Sequence, residues 1–297
     1  VLQFLTPPAL QKGDLVRVIA PSGTFNRSLF LRGLGWLGEH FKVRFRPDIF
    51  ERDLFTAGSR ARRANELNEA LSCPDTRAIV AARGGFGAGE IARAANFVHL
   101  RTAPKWLVGF SDITALHVEA ARMSVCSLHA HNVTGLGPGD ARERQHWLDA
   151  LMRLTDVPVS HALQGQIGPA RTGRLLGGNL TLVHQCVIAG RWRVPRGSLL
   201  FFEEVSEAPY RVARLLLGLE SAGVFDDAAG IVVGHLSPRG PDGRAAECLE
   251  AFVALAKRNH LSLGWGLQAG HERPNSPLVL GALGTLANTQ LVLEQRA

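Results

Sequence analysis

Several protein classes are excluded by what this chain lacks. Its four cysteines, Cys73, Cys126, Cys186 and Cys248, stand far apart and never form a C-x-x-C pair, so neither a zinc site nor a disulfide framework is expected. They read as core or surface thiols of a reducing compartment. Nowhere do about 18 apolar residues run together, which excludes a legible transmembrane helix. Residues 1–14 lack the basic segment and long apolar run of a secretory signal. The expectation is a soluble cytoplasmic protein with no membrane partner, although a valine in first place is compatible with a leader already removed. Lysine is scarce, with only Lys12, Lys42, Lys105 and Lys257, and neither an internal repeat nor a low-complexity segment is present.

What the chain does have is apolar mass and arginine. With 297 residues, 46% hydrophobic and 20% charged, it can bury a sizeable core, which rules out a disordered chain, a collagen and a small stapled scaffold. A single core rarely grows beyond about 250–300 residues, so two domains are expected. Lys and Arg total 33 against 26 acids, a net charge of +7. Taken alone, that balance admits an anionic partner. The arginines are scattered, however, and no helix-turn-helix, zinc finger or aromatic stacking motif accompanies them, so no nucleic acid partner is expected. The densest cluster, Arg60, Arg62 and Arg63, reads as the solvated face of a helix.

Residues 15–154 alternate short apolar runs with helical periodicity, the pattern of a parallel sheet covered by helices. The spacing predicts strands over 15–20, 42–46, 78–82, 106–110 and 125–129. Helices are predicted over 28–41, 59–71, 87–95 and 112–121. Residues 155–171 are more polar and weakly periodic, and they read as a linker. Beyond it the order changes: short strands at 199–202, 230–236, 277–283 and 290–293 mix with helices over 209–223 and 243–259, the former opening on Pro209 as a first helical turn allows. The predicted class is α/β, with an N-terminal α/β domain over 1–154 and a mixed, strand-rich domain over 172–297.

The chemistry concentrates in a few turns. Lys105-Trp-Leu-Val-Gly-Phe-Ser111-Asp-Ile-Thr runs from an apolar strand into a helix, and a serine at such a turn exposes its hydroxyl beyond the sheet edge. Asp112 would offer its backbone N–H to an oxyanion. Ser111 is equally placed for an ordinary N-cap, and Ile113 stands where a strict Gly-x-Ser-x-Gly pattern has glycine. Arg83-Gly84-Gly85-Phe86-Gly87 follows the strand at 78–82 and would let backbone amides approach a phosphate or an oxyanion, or simply turn the chain. It carries neither the dinucleotide fingerprint nor a Walker lysine, so no cofactor is expected. Of eleven histidines, His271 lies in a loop of small residues, and Glu203 ends an apolar strand. These are candidates for a base and the acid that orients it.

In order and spacing these segments resemble the murein tetrapeptide LD-carboxypeptidase family of serine peptidases. The resemblance runs from Gly13-Asp-Leu-Val-Arg-Val-Ile-Ala-Pro-Ser-Gly23 through Phe55-Thr-Ala-Gly58, Arg83-Gly-Gly-Phe-Gly87, Gly109-Phe-Ser-Asp-Ile-Thr114, Leu176-Gly-Gly-Asn-Leu180 and Glu203-Glu-Val-Ser-Glu-Ala-Pro-Tyr-Arg to Gly270-His-Glu272. It implies a metal-free catalytic triad of Ser111, Glu203 and His271, with an oxyanion hole from the backbone of Gly85 and Asp112. It also implies a nucleophile-elbow α/β domain, a barrel-like second domain and a homodimer in the cytoplasm. The implied reaction releases the terminal D-alanine of a murein tetrapeptide, with Arg83 and Gly84 candidates for binding the substrate. The chain departs from the family at His129-Ala-His-Asn132, where a His-Gly-Pro segment is common, which puts substrate contacts in question. A related branch, the microcin-C immunity peptidases, shares the triad and cleaves aminoacyl nucleotides; it usually has a longer central insertion bearing an aromatic residue, for which Trp192 is the nearby candidate here. The rival from another class is a non-catalytic binder of anionic peptides or nucleic acid.

Overall fold

A computed structural model of the chain describes residues 3–154, 157–238 and 244–294. Thr155 and Asp156, which open the expected linker, and Gly243, which opens an expected helix, lie outside them. Two compact units divide the chain, Gln3–Leu154 and Thr155–Ala297.

In the first unit, β1 (Leu15–Ile19), β2 (Lys42–Arg44), β3 (Thr76–Ala81), β4 (Trp106–Gly109) and β5 (Ser127–His129) pair in parallel in the order β5-β4-β3-β1-β2. The central strands β3 and β4 are buried over nearly their whole length. This is why they read as continuous apolar runs, as strands covered on both faces do. Capping side chains set where the helices start. Asn26 accepts from the N–H of Leu29 at α1 (Arg27–Gly38), Ser59 from Arg62 at α2 (Arg60–Ser72), and Asp140 from Glu143 at α7 (Ala141–Met152). The helix expected over 87–95 shrinks to α3 (Ala88–Ile91), since Gly87 at φ +130° and Gly89 disfavour a longer one. The short helices α4 (Val98–Thr102) and α6 (Val133–Leu136) and the longer α5 (Thr114–Arg122) complete this unit.

The second unit holds β6 (Val159–Ala162), β7 (Gly165–Ile167), β8 (Arg171–Asn179), β9 (Leu199–Val205), β10 (Gly230–Ser237), β11 (Ser262–Trp265), β12 (Leu278–Leu280), β13 (Leu283–Ala287) and β14 (Gln290–Leu293). Its sheet runs β6-β14-β13-β8-β9-β10-β11-β7, parallel from β8 to β11 and antiparallel elsewhere. Helices α8 (Leu180–Ile188), α9 (Pro209–Ser221) and α10 (Ala245–Arg258) accompany it.

The stretch 155–171 is not a mere linker, because it supplies β6 and β7. These two strands form opposite edges of the sheet, yet only Leu163 and Gln164 separate them. That much chain spans at most about 11 Å, so the two edges lie side by side and the sheet curls into a barrel-like form. Leu163 and Gln164 fasten the seam by donating their N–H groups to Thr289 and Trp265 carbonyls. Leu163 also packs on the core of Leu175, Leu199, Phe201, Val232 and Leu286. Neither strand was legible because half-exposed, polar edge strands lack a clean period.

Strand β8 and helix α8 also escape the sequence pattern, since glycines at 173, 177 and 178 dilute the apolar run. Gly177 has φ +135°, and a Cβ on it would lie 2.0 Å from the Phe201 carbonyl oxygen of the paired strand. Gly177→Ala is therefore expected to destabilise the protein by about 3 kcal/mol, combining left-handed strain with a backbone clash. Urea unfolding of the variant measures this, and an unchanged midpoint would contradict the packing described.

Candidate active site

In the first unit the chain leaves β4 through Gly109 and extended Phe110 and then enters the left-handed region at Ser111, φ +67°. Residues Ser111–Ile113 make one 3₁₀ turn before α5. A non-glycine residue held there costs on the order of 1–3 kcal/mol and must be over-determined by its surroundings. Gly84 lies so close that a Cβ on it would stand 2.9 Å from Ser111 Cβ, 3.1 Å from its Oγ and 3.3 Å from the Asp112 nitrogen. The glycine turn thus brings its backbone directly against the Ser111 hydroxyl and the Asp112 amide, where any larger residue would collide.

Beneath the turn several buried polar groups are tied. The Asp112 carboxylate is buried, and its Oδ2 accepts from Ser22 Oγ at 2.6 Å and from the Ala88 N–H at 2.8 Å. Burial raises its pKa, against the pull of those two donors. Asn132 Oδ1 accepts from the Phe110 N–H at 3.3 Å. His117 bridges Ser127 Oγ and the Gly109 carbonyl, both at 2.9 Å. Burial drives its pKa down to about 4, so the ring is neutral at ordinary pH and, with Nε2 donating to the carbonyl, Nδ1 is left to accept.

The His129-Ala-His-Asn132 segment is almost fully buried, with His129 against the Phe110 ring and His131 near Glu143. The segment where the chain departs from the family pattern therefore packs against the elbow, with Asn132 and His129 both meeting Phe110. The arginine cluster also differs from expectation. Arg60 is exposed, but Arg62 and Arg63 are 7% and 2% exposed, and neither sits on a solvated face. Arg62 donates to the Ala20 and Ala57 carbonyls and pairs with Glu66; Arg63 donates to the Gly58, Pro21 and Gly87 carbonyls and pairs with Glu90. Burial pushes Glu66 up to about 7, opposed chiefly by the Arg62 charge. Together the two guanidiniums pin the loop after β1 to the glycine turn. Arg83 is exposed and donates to the Thr24 carbonyl, a turn-bracing bond. Gly85, at φ +113°, is the exposed crest of that turn.

In the second unit Glu203 and its neighbour Glu204 divide their roles, as successive residues of a strand must. Glu204 accepts from Asn179 Nδ2, from the Thr181 N–H and hydroxyl, and from the Val205 N–H. Glu203 is fully buried, and its Oε2 lies 2.6 Å from His271 Nδ1. Its Oε1 is buried without a hydrogen-bond partner among the described residues, so the bond to His271 dominates. Gly270, φ +131°, allows the close approach, since a Cβ there would stand 3.0 Å from Glu203 Cβ. Burial disfavours the charged His271 ring, but the Glu203 hydrogen bond and charge, reinforced by Glu204, raise its pKa overall.

The structure thus brings Gly84 and Asp112 to Ser111 in one unit, and Glu203 to His271 in the other. Among the described residues no cluster of His, Cys, Asp and Glu is placed to hold a metal ion, and no helix is long and apolar enough to cross a membrane. Sequence reasoning missed the supporting Asn132, Arg62 and Arg63, whose types carried no local signal. Trp192 is 4% exposed and sits among residues 187–196 and 222–227 at a cavity of its own unit.

Residues 16–130 match the LD-carboxypeptidase N-terminal domain, and residues 172–286 match the LD-carboxypeptidase C-terminal domain. The chain is 30% identical to the "Probable murein peptide carboxypeptidase" of Bacillus subtilis, covering 93% of this chain and 89% of that protein. It is also 30% identical to the murein tetrapeptide carboxypeptidase of Pseudomonas aeruginosa, covering 89% and 88% of the two chains. The crystal structure of an MccF-like protein from Bacillus anthracis shares the fold, with a TM-score of 0.88 over 97% of this chain and 99% of that one at 21% identity. Carrying both domain signatures in order, with whole-length relatives at 30% identity, the chain belongs to the LD-carboxypeptidase family and is a serine-type carboxypeptidase.

Proposed function

We propose that the chain releases the terminal D-alanine of murein tetrapeptides, cutting after the L-centre of a diamino acid, as a cytoplasmic and dimeric enzyme of peptidoglycan recycling. The observation that carries this reading is the Glu203–His271 hydrogen bond, together with a serine held in the left-handed conformation of a nucleophile elbow. Ser111, Glu203 and His271 act as one triad. His271 takes the Ser111 proton as the hydroxyl attacks the scissile carbonyl, then returns it to the leaving D-alanine amine. Glu203 holds the imidazole tautomer and stabilises imidazolium. Backbone N–H groups at Gly85 and Asp112 bind the oxyanion, a contribution of about 3–4 kcal/mol per donor in comparable sites. Water then hydrolyses the acyl-enzyme. Arg83 and Gly84 border the bound peptide, with Arg83 a partner for the terminal carboxylate. The short connection between the two halves, with Trp192 as its only nearby aromatic candidate, favours the murein substrate over an aminoacyl nucleotide.

Mass spectrometry of murein peptides after incubation with the enzyme tests the substrate. The tetrapeptide should lose one D-alanine and the pentapeptide should persist, since an extra residue displaces the scissile carbonyl by about 3.5 Å. Turnover of an aminoacyl nucleotide without murein cleavage would select the other branch. The triad predicts non-additive losses: Ser111→Ala should cost several orders of magnitude in kcat, and adding His271→Ala little more. Multiplicative losses in folded variants would refute a shared mechanism.

A pH profile tests the acid. His271 must be neutral to act as base, and its raised pKa places the acid limb of kcat/KM above the ordinary imidazole value of 6.5. Glu203→Gln removes the charge that raises it, so the limb should move to lower pH while the plateau falls. A limb that stays put would show that another group titrates. For stability the sign is opposite: the raised pKa favours the fold below 6.5, and that contribution fades as pH rises through the folded value.

A further inference from the structure

A second histidine stands beside the Glu203–His271 pair and has no part in the chemistry above. His235 lies near the end of β10, where the pairing with β9 shifts register between Val233 and Leu236. Irregularities of this kind re-aim side chains at strand ends. Gly234 lets the following backbone pass, since a Cβ on it would stand 2.3 Å from the Ala269 carbonyl oxygen. The His235 N–H donates to that same oxygen at 2.8 Å. A Cβ on Gly270 would stand 3.1 Å from His235 Cβ, so His235 lies directly against the residue before the base. Its ring then reaches the residue after the base, as Nδ1 accepts the Glu272 N–H at 3.2 Å. Two positions along the strand, Ser237 Oγ donates to Glu272 Oε1 at 2.6 Å. The end of β10 therefore holds the chain on both sides of His271.

We propose that His235 is a positioning residue for the general base: as a neutral imidazole with its proton on Nε2, it anchors the Glu272 amide and so fixes the His271 ring against Glu203. This rests on the reading of His271 as the base. An Nδ1 that accepts an amide hydrogen carries no proton of its own, so the tautomer follows from the contact. The charged and titratable groups that face the ring are Glu272 and His271 from the loop and Glu203 from β9. Burial lowers the His235 pKa against the two carboxylates, and His271 lowers it further. His235 thus remains an acceptor over the pH range in which His271 loses its proton.

The test compares His235→Leu, which has no acceptor, with His235→Asn, whose amide oxygen can stand near the Nδ1 position. In His235→Leu, kcat should fall between about tenfold and a hundredfold with KM within about twofold, the signature of a misplaced base rather than lost binding. The His271 ring, followed by nitrogen-15 NMR, should titrate lower in that variant as its bond to Glu203 loosens. His235→Asn should recover most of the rate and of the His271 titration. Equal impairment in both variants, or a His235→Leu enzyme with wild-type kcat and wild-type His271 titration, overturns the proposal while leaving the triad intact. A fully active His271→Ala overturns the base assignment and this inference together.

Discussion

The first unit is organised around one constraint: a serine must sit in a backbone conformation that L-residues avoid. Ser111 cannot hold φ +67° by itself, because the strain of about 1–3 kcal/mol would relax by rotating the hydroxyl away. Its surroundings prevent this. Gly84 lacks the side chain that would displace it, Asn132 takes the preceding amide, and His117 fixes the Gly109 carbonyl. Asp112 ties the turn to Ser22 and to the start of α3. Each of these groups is buried, so breaking any one leaves an unsatisfied polar atom.

Burial also explains what becomes of the arginines. The positive excess suggested an anionic partner, yet two guanidiniums of the densest cluster face inward and serve backbone carbonyls. Carbonyls at 20, 21, 57, 58 and 87 belong to loops that cannot pair in the sheet, and a guanidinium offers five donors in a rigid fork to satisfy them. In the second unit the same logic works with opposite sign: a fully buried carboxylate is compensated through one imidazole, and its neighbour organises the start of α8.

The two glutamates show how little separates a carboxylate that meets an imidazole from one that organises a helix start. Glu203 and Glu204 have the same chemistry and adjacent places, and the alternation of the strand sends one to His271 and the other to Asn179 and Thr181. The sequence resemblance singled out the first. The hydrogen bonds supply the physical reason, since the close approach at Gly270 is possible only on that face.

By itself the sequence determined the α/β class, the central strands β3 and β4 and the helix starts at Ser59 and Pro209, and it marked Ser111, Glu203 and His271 as candidates. Those features are local: apolar runs, caps and small-residue turns express themselves within a few positions. Only the tertiary structure decided that 159–167 closes a barrel and that Arg62 and Arg63 are buried. It likewise decided that His129, His131 and Asn132 brace the elbow, and that His235 touches both flanks of His271. Each of these depends on partners between 5 and more than 100 positions away, and a polar side chain looks the same in sequence whether water or a distant carbonyl satisfies it.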